Sequence, residues 1–148
     1  MAVFESALDP DVKKRGVVGE VDITFNCKPQ LFLKSGQVEL AVSEGGVIYN
    51  HTPYTASPTI RFNFSSSWEG GSITIGGRTF SCVDPGTTDE FVIDCERQDI
   101  YLRDTRTNKN NLFTLSDREF FELKPGRNTI HFSGLGTAVY ITPNWWTV

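Results

Sequence analysis

The sequence predicts an all-β domain built as an antiparallel β-sandwich, with a barrel as the alternative. At least nine short runs alternate between apolar and polar residues, which is the period of a strand with one buried face. Turns rich in glycine, proline and asparagine separate these runs, and no long amphipathic helix interrupts them. A chain of 148 residues is long enough to bury about 70% of its unfolded surface around one core.

Composition and charge exclude several classes of protein. Apolar residues make up 39% of the chain and charged residues 22%, which is the balance of a folded domain. The net charge is −4, and the one basic cluster, residues 13–15, has no interleaved aromatics, so we expect no binding to nucleic acid. No apolar run reaches the roughly 18 residues of a membrane span, and no signal-peptide pattern opens the chain. We therefore expect no membrane association.

The pattern changes near residue 18. Residues 1–17 contain Asp9-Pro10-Asp11, which interrupts any helix, and we interpret them as a lead-in or linker remnant. Residues 18–148 are predicted to form the β-sandwich, and their first strand places Val21, Ile23 and Phe25 on one face. Three more strands with one buried face are predicted from Val38, Leu40 and Val42, from Ile60, Phe62 and Phe64, and from Phe91, Ile93 and Cys95.

Gly76-Gly77 predicts a tight hairpin, because both central residues of a type I′ turn need positive φ. In that register Ile75 lies opposite Arg78 and Ile73 opposite Phe80. Ile73, Ile75 and Phe80 then share a buried face with Cys82.

A second hairpin is predicted at the C-terminal end. Ile130 and Phe132 share one face, and the reversal at residues 134–136 leads into a run in which Val139 and Ile141 point inward. The same parity continues to residues 145 and 146, so Trp145 should face inward and Trp146 outward with Tyr140.

Titratable residues do not converge on a catalytic or metal site. Cys27, Cys82 and Cys95 have no CxxC spacing and fall in strand-like runs, which predicts reduced, buried thiols. His51 and His131 lack metal or triad spacing. A third hairpin is predicted to turn near Glu96 and Arg97. The acidic residues around it could supply a glycosidase pair, although such side chains are ordinarily only solvated: Asp94, Glu96, Asp99 and Asp104. We predict no catalytic residue, no metal and no cofactor.

Three outward aromatic side chains are the candidate binding residues: Trp68 in a loop, Tyr140 and Trp146. An outward aromatic ring can cover its own sheet edge, contact a protein partner or stack on a sugar. The sequence leaves all three uses open.

Several segments together resemble the C-terminal part of distal tail (Dit) proteins, the siphovirus-type tail component family of long-tailed phages. They occur in the family's order over residues 18–148. The segments are Val21-Asp-Ile-Thr-Phe-Asn-Cys-Lys-Pro29, Ser57-Pro-Thr-Ile60, Gly71-Ser-Ile-Thr-Ile-Gly-Gly-Arg78, Val92-Ile-Asp-Cys-Glu96 with Ile100-Tyr101, and Leu123-Lys-Pro-Gly-Arg-Asn-Thr-Ile-His-Phe-Ser-Gly134 with Pro143-Asn-Trp-Trp146.

The resemblance implies a galectin-like, jelly-roll type of sandwich and a structural, non-enzymatic role at the tail tip of the virion. Its partners would be other tail and baseplate proteins, with host cell-wall polysaccharide as a further candidate. The alternative function is a carbohydrate-binding module for adhesion to the host surface. Such proteins usually carry a larger N-terminal ring-forming domain, whereas about twenty residues precede the sandwich here. We therefore expect the isolated chain to be monomeric.

Overall fold

The computed structural model describes residues 2–4, 25–27 and 30–148, which fall in two compact units. The first unit comprises Met1–Leu31 with Val148, and in it β1 (Ala2–Phe4) pairs antiparallel with β2 (Phe25–Cys27). Val21, Ile23 and the predicted boundary at residue 18 lie outside the described residues. The division into residues 1–17 and 18–148 stays a prediction.

The second unit, Phe32–Thr147, holds almost all of the strands. Two 3-10 turns, Lys34–Gln37 and Asn110–Leu112, are its helical elements among the described residues, and none of these is long and apolar enough to cross a membrane. The strands that follow β2 are β3 (Leu31–Phe32), β4 (Leu40–Val42), β5 (Val47–Asn50), β6 (Thr59–Phe62), β7 (Gly71–Ile75), β8 (Arg78–Cys82), β9 (Phe91–Asp94), β10 (Asp99–Leu102), β11 (Thr114–Leu115), β12 (Gly126–Ser133), β13 (Val139–Thr142) and β14 (Trp146–Thr147).

Two five-stranded antiparallel sheets form the body of this unit. Sheet A has the order β10-β9-β6-β13-β4, and sheet B has the order β11-β8-β7-β12-β5. Alternate residues of both sheets contribute to one buried cluster, so the predicted antiparallel β-sandwich is confirmed. The partners of β6 lie far along the chain, at β9 and β13.

Phenylalanine rings fill much of the core. The ring centre of Phe62 lies 5.8 Å from that of the nearly parallel ring of Phe91. Phe64 and Phe113 meet both of these rings edge-on and are tilted relative to each other. Such offset and edge-to-face contacts are the favoured geometries of aromatic pairs. The side chains with the least exposure are Phe62, Phe80, Phe91, Phe121, Ile60, Ile73, Ile75, Ile93, Ile100, Leu123, Ile130 and Ile141.

The hairpin at Gly76-Gly77 is confirmed. Ile75 lies opposite Arg78 and Ile73 opposite Phe80, and the two glycines have φ values of 59° and 83°. A type I′ turn requires positive φ at both central residues. This turn type is favoured because its own twist matches the right-handed twist of the two strands.

Replacing Gly76 and Gly77 together by valine should destabilise the domain by about 2–4 kcal/mol, because left-handed backbone costs an L-residue roughly 1–2 kcal/mol at each position. Thermal denaturation measures the loss. The matched control is Gly76→Asn, which should be tolerated because Asn-Gly is a preferred type I′ pair. A melting temperature unchanged by the double valine replacement would contradict this turn.

The predicted C-terminal hairpin is wrong. β12 belongs to sheet B and β13 to sheet A, so the chain crosses between the sheets at residues 134–136. The physical reason is that Gly134 and Gly136 bond to another segment: Gly134 O accepts the N–H of Ser65, and the N–H of Gly136 donates to Asn63 O. The inward positions were predicted correctly, since Ile130, Val139 and Ile141 are fully buried.

β12 pairs with two different strands along its length, an arrangement that we call its stagger. Its first half, from Gly126 to Thr129, lies beside β5, whereas its second half, from Ile130 to Ser133, lies beside β7 on the other side. The two ladders of this long strand therefore follow each other along its length.

The strand predicted from Val38, Leu40 and Val42 is shorter than expected. Only Leu40–Val42 forms β4, and Val38 is 57% exposed after the 3-10 turn that contains Gly36. A Cβ atom on Gly36 would lie 2.3 Å from the backbone nitrogen of Trp145, so the turn packs directly against the end of the chain. That long-range contact fixes the backbone before residue 38, and local alternation gives no sign of it.

Cys82 and Cys95 are free thiols in the core, as predicted, and the side chain of Cys27 lies outside the described residues. Burial raises the pKa of both thiols, which leaves little thiolate at neutral pH. We expect a thiol reagent to label both slowly in the native protein and rapidly in denaturant. Rapid labelling of both without denaturant, measured by mass spectrometry, would contradict their burial.

Candidate interaction surface

Trp68 stands at the tip of the loop between β6 and β7. Its side chain is 75% exposed, the second highest exposure of the large apolar residues described. The hydroxyl of Ser66 accepts the N–H groups of Trp68 and Glu69 at 3.3 Å, and Ser67 O accepts the N–H of Gly86 at 2.9 Å. The loop backbone is therefore held while the indole ring projects from it.

Tyr140 lies on the outer face of sheet A under an arginine. Its strand neighbour Arg61 places the guanidinium carbon 4.3 Å from the centre of the phenol ring, within cation–π range. Arg61 also donates to Glu39 and Glu90, and Arg103 donates to Glu90 at 2.8 Å. One face of the Tyr140 ring is thus already occupied by a charged network.

The charges of this network support one another. Hydrogen bonding to Glu39 raises the pKa of Arg61, and the same bond lowers the pKa of Glu39. Burial alone would raise the pKa of Glu90, but the bonds from Arg103 and Arg61 outweigh burial and lower it. Glu39, Arg61 and Glu90 are therefore charged at neutral pH, and the network holds side chains over the outer face of sheet A.

Trp146 folds back onto its own domain. Its indole N–H donates to Thr55 O at 2.9 Å, and its ring stacks on Tyr54 with centroids 4.2 Å apart. The loop that carries Tyr54 is anchored by the buried Asn50, whose amide donates to Tyr54 O and to Leu123 O. The packing of Trp146 favours edge cover over ligand binding.

The three candidate aromatic residues do not form one site. Trp146 lies beside the residues that precede β6, Tyr140 is paired with the middle of β6, and Trp68 follows β6 in the next loop. Among the described residues, no aromatic contact joins any two of them. A shared sugar platform would require rings that face a common space.

Titratable side chains are distributed as surface groups. His51 and His131 are both exposed, and the Nδ1 atom of His131 lies 2.9 Å from Glu44. In the described part of the chain, no three His, Cys, Asp or Glu side chains are placed to hold one metal ion. Asp94 caps its turn by accepting the N–H of Arg97, and Asp99 accepts the amide of Asn108.

Sequence reasoning missed a set of exposed apolar side chains on and beside the end strands of the two sheets, which we call the open-edge patch. β4 is the last strand of sheet A and β5 is the last strand of sheet B, and the turn at Gly45 joins them. The patch consists of Phe32 (47% exposed), Val38 (57%), Leu40 (38%), Val47 (43%) and Tyr49 (55%). Alternation along β5 indicates that Val47 and Tyr49 share a face, but the sequence does not tell which strands are edges.

Comparisons with known proteins agree with this architecture. Residues 51–145 match the family model described as siphovirus-type tail component, C-terminal domain. The fold is similar to the crystal structure of the Dit protein (gp 19.1) of phage SPP1, with a TM-score of 0.64 and 14% sequence identity. The match covers 84% of this chain and 51% of that protein, so this chain spans about half the length of that relative.

No curated protein sequence matches the chain significantly. The family match covers well over half of the 148 residues and includes eight of the ten strands of the two sheets. It confirms the resemblance inferred from the ordered motifs. The chain therefore belongs to the siphovirus-type tail component family, of which it carries the C-terminal domain.

Proposed function

We propose that this domain is a structural, non-catalytic part of the tail tip or baseplate that acts by docking to other tail proteins during assembly and host attachment. Membership in a family of tail components supports the structural role. The SPP1 protein is described as a paradigm of the hub of the adsorption apparatus in phages that infect Gram-positive bacteria. By analogy, the tail tip is the proposed location.

The open-edge patch carries the docking proposal. Five large apolar side chains lie in one stretch of chain and are all at least 38% exposed. Exposed apolar side chains that are close in the fold commonly mark interaction sites. Among the described strands, β4 and β5 are each the last of their sheet, so their outer sides have no strand partner there. The partner that fits is an apolar, β-rich surface of another structural tail protein.

The patch can be tested by adding charge to it. The variant Val38→Asp with Tyr49→Asp should lose co-purification with the co-expressed products of adjacent tail genes. The control is Val83→Asp, because Val83 is 86% exposed and lies outside the patch. Equal capture by all three proteins, at equal melting temperatures, would refute docking through this edge.

The isolated chain should be monomeric at micromolar concentration. Specific interfaces bury on the order of 800 Å² per partner, and a few half-exposed side chains along one edge supply only part of that area. Light scattering measures the mass directly. A stable hexamer would show instead that the sandwich provides ring contacts of its own.

Sugar binding is the alternative, and Trp68 is the residue that favours it, because its ring is exposed and unstacked among the described residues. An aromatic face provides area, but orientation requires polar groups around it. We expect no measurable binding of simple mono- and disaccharides by calorimetry or tryptophan fluorescence. A saturable signal that Trp68→Ala or Trp146→Ala abolishes would replace the docking proposal with adhesion.

A further inference from the structure

The stagger of β12 leaves a notch in sheet B. β7 ends at Ile75, opposite Ile130, and the chain then turns back through Gly76 and Gly77. On that side, the first half of β12 has no neighbouring strand among those described. The notch is a groove of about 360 Å³.

Main-chain groups of β12 are directed toward this notch. Ile130 bonds to the β5 side, since its N–H donates to Gly46 O at 2.8 Å and its carbonyl accepts the N–H of Gly45 at 2.9 Å. Successive residues of an antiparallel strand direct their N–H and C=O groups to alternate sides. The main-chain groups of Arg127 and Thr129 therefore point to the β7 side, where β7 has already ended.

The side chains that line the notch are basic or neutral. Lys124 and Arg127 supply two positive charges, and no carboxylate is among the lining residues, although the whole chain has a net charge of −4. His131 also lines the notch, but the Nδ1 atom of its ring already forms a hydrogen bond with the carboxylate of Glu44. Thr74, Thr129 and Asn128 complete the polar lining.

The two cations differ from three arginines on or beside the sheets. Arg61, Arg78 and Arg103 each form ion pairs with glutamate or aspartate. Within the described residues, neither Lys124 nor Arg127 has a carboxylate at salt-bridge distance. Among the described groups, these two charges are open to a ligand.

We propose that this notch binds a phosphate-type oxyanion. The guanidinium of Arg127 presents two parallel N–H donors that match a phosphate, Lys124 adds a point charge, and the backbone and hydroxyl groups supply further donors. The anion is either free phosphate or a phosphate group within a phosphodiester polymer. This site does not depend on docking through the open-edge patch.

Amide NMR titration of the whole chain tests the site with sodium phosphate and with a glycerol phosphate oligomer. Saturable shifts are expected at the amides of Gly76, Gly77 and Thr129, and sodium chloride at equal ionic strength should not reproduce them. The variant K124Q/R127Q should bind about tenfold more weakly, or worse, since two charge-assisted contacts are lost. The control R97Q/R118Q has the same net charge and should bind as the wild type does.

The two sources of phosphate give different results. If the oligomer binds more tightly than phosphate at equal phosphate concentration, the site recognises a polymer, and if both bind equally, it recognises the ion. Either result supports the notch, provided that both variants keep the wild-type melting temperature and spectrum. The proposal is overturned if the wild type gives no saturable shift, or if both variants weaken binding equally.

Discussion

Replacing Gly134 by alanine is expected to destabilise the domain by about 2–5 kcal/mol, combining left-handed strain with overpacking. Gly134 has a φ of +72°, and a Cβ atom there would lie 2.3 Å from Gly70 O and 2.8 Å from the Cα atom of Gly71. Both obstacles are backbone atoms of the adjacent segment of the same chain, so no side-chain rotation can relieve the contact. The substitution should push the segment that crosses from sheet B to sheet A away from Gly70 and Gly71.

Gly45→Ala is the matched control for that experiment. Gly45 has a similar φ of +75°, but a Cβ atom on it would meet nothing within 4 Å. The control should therefore lose only the strain of about 1–2 kcal/mol. Chemical denaturation gives both values, and equal losses for the two variants would contradict the close approach at Gly134.

Replacing Phe62 by alanine is the second substitution with a large expected effect, a loss of about 3–5 kcal/mol. The Phe62 side chain is 1% exposed and contacts the rings of Phe64, Phe91 and Phe113. Truncation removes its buried area and leaves a cavity that these rigid rings cannot close. The melting temperature should fall by about 2–4 °C for each kcal/mol lost in a domain of this size.

An exposed phenylalanine gives the comparison for the core variant. Phe32 is 47% exposed, and its replacement by alanine should cost less than about 1 kcal/mol, since little buried area is lost. Phe62→Leu should fall between the two, because leucine fills part of the volume. Comparable losses for Phe62→Ala and Phe32→Ala would argue against the ring cluster.

Local patterns predicted the local parts of this fold. The hairpin at Gly76 and Gly77 needs only two residues with positive φ between alternating runs, so its register follows from adjacent sequence. The burial of Ile130 and Ile141 follows in the same way from alternation, and so does the position of Trp145.

The sheet to which a strand belongs could not be predicted in this way. Alternation gives the inward face of β12 and β13 but is the same whether the two strands are neighbours or lie in opposite sheets. What separates them is the bonding of residues 134–136 to Asn63 and Ser65, some seventy residues earlier in the chain. The open-edge patch and the notch depend on the same information, because an edge is defined by the absence of a neighbour.

The candidate aromatic residues illustrate the same limit. Parity predicted that Trp146 faces outward, yet its side chain is half-buried and packs against the core, with Tyr54 from a distant loop stacked on its ring. The cover on Tyr140 also comes from a strand far away in sequence. Only Trp68, whose surroundings are local, is as open as its loop position predicted.

The placement of β12 and β13 has a consequence for the order of folding. β12 lies between β7 and β5, and β13 lies between β6 and β4, so residues 126–142 supply an internal strand to each sheet. During synthesis the earlier strands emerge without these neighbours, and among the described strands β5 and β4 have no other partner in their sheets. Neither sheet can close until this segment has left the ribosome, and the long sequence separation between the paired strands makes folding slow. In the interval the unpaired strands are exposed to chaperones and to one another.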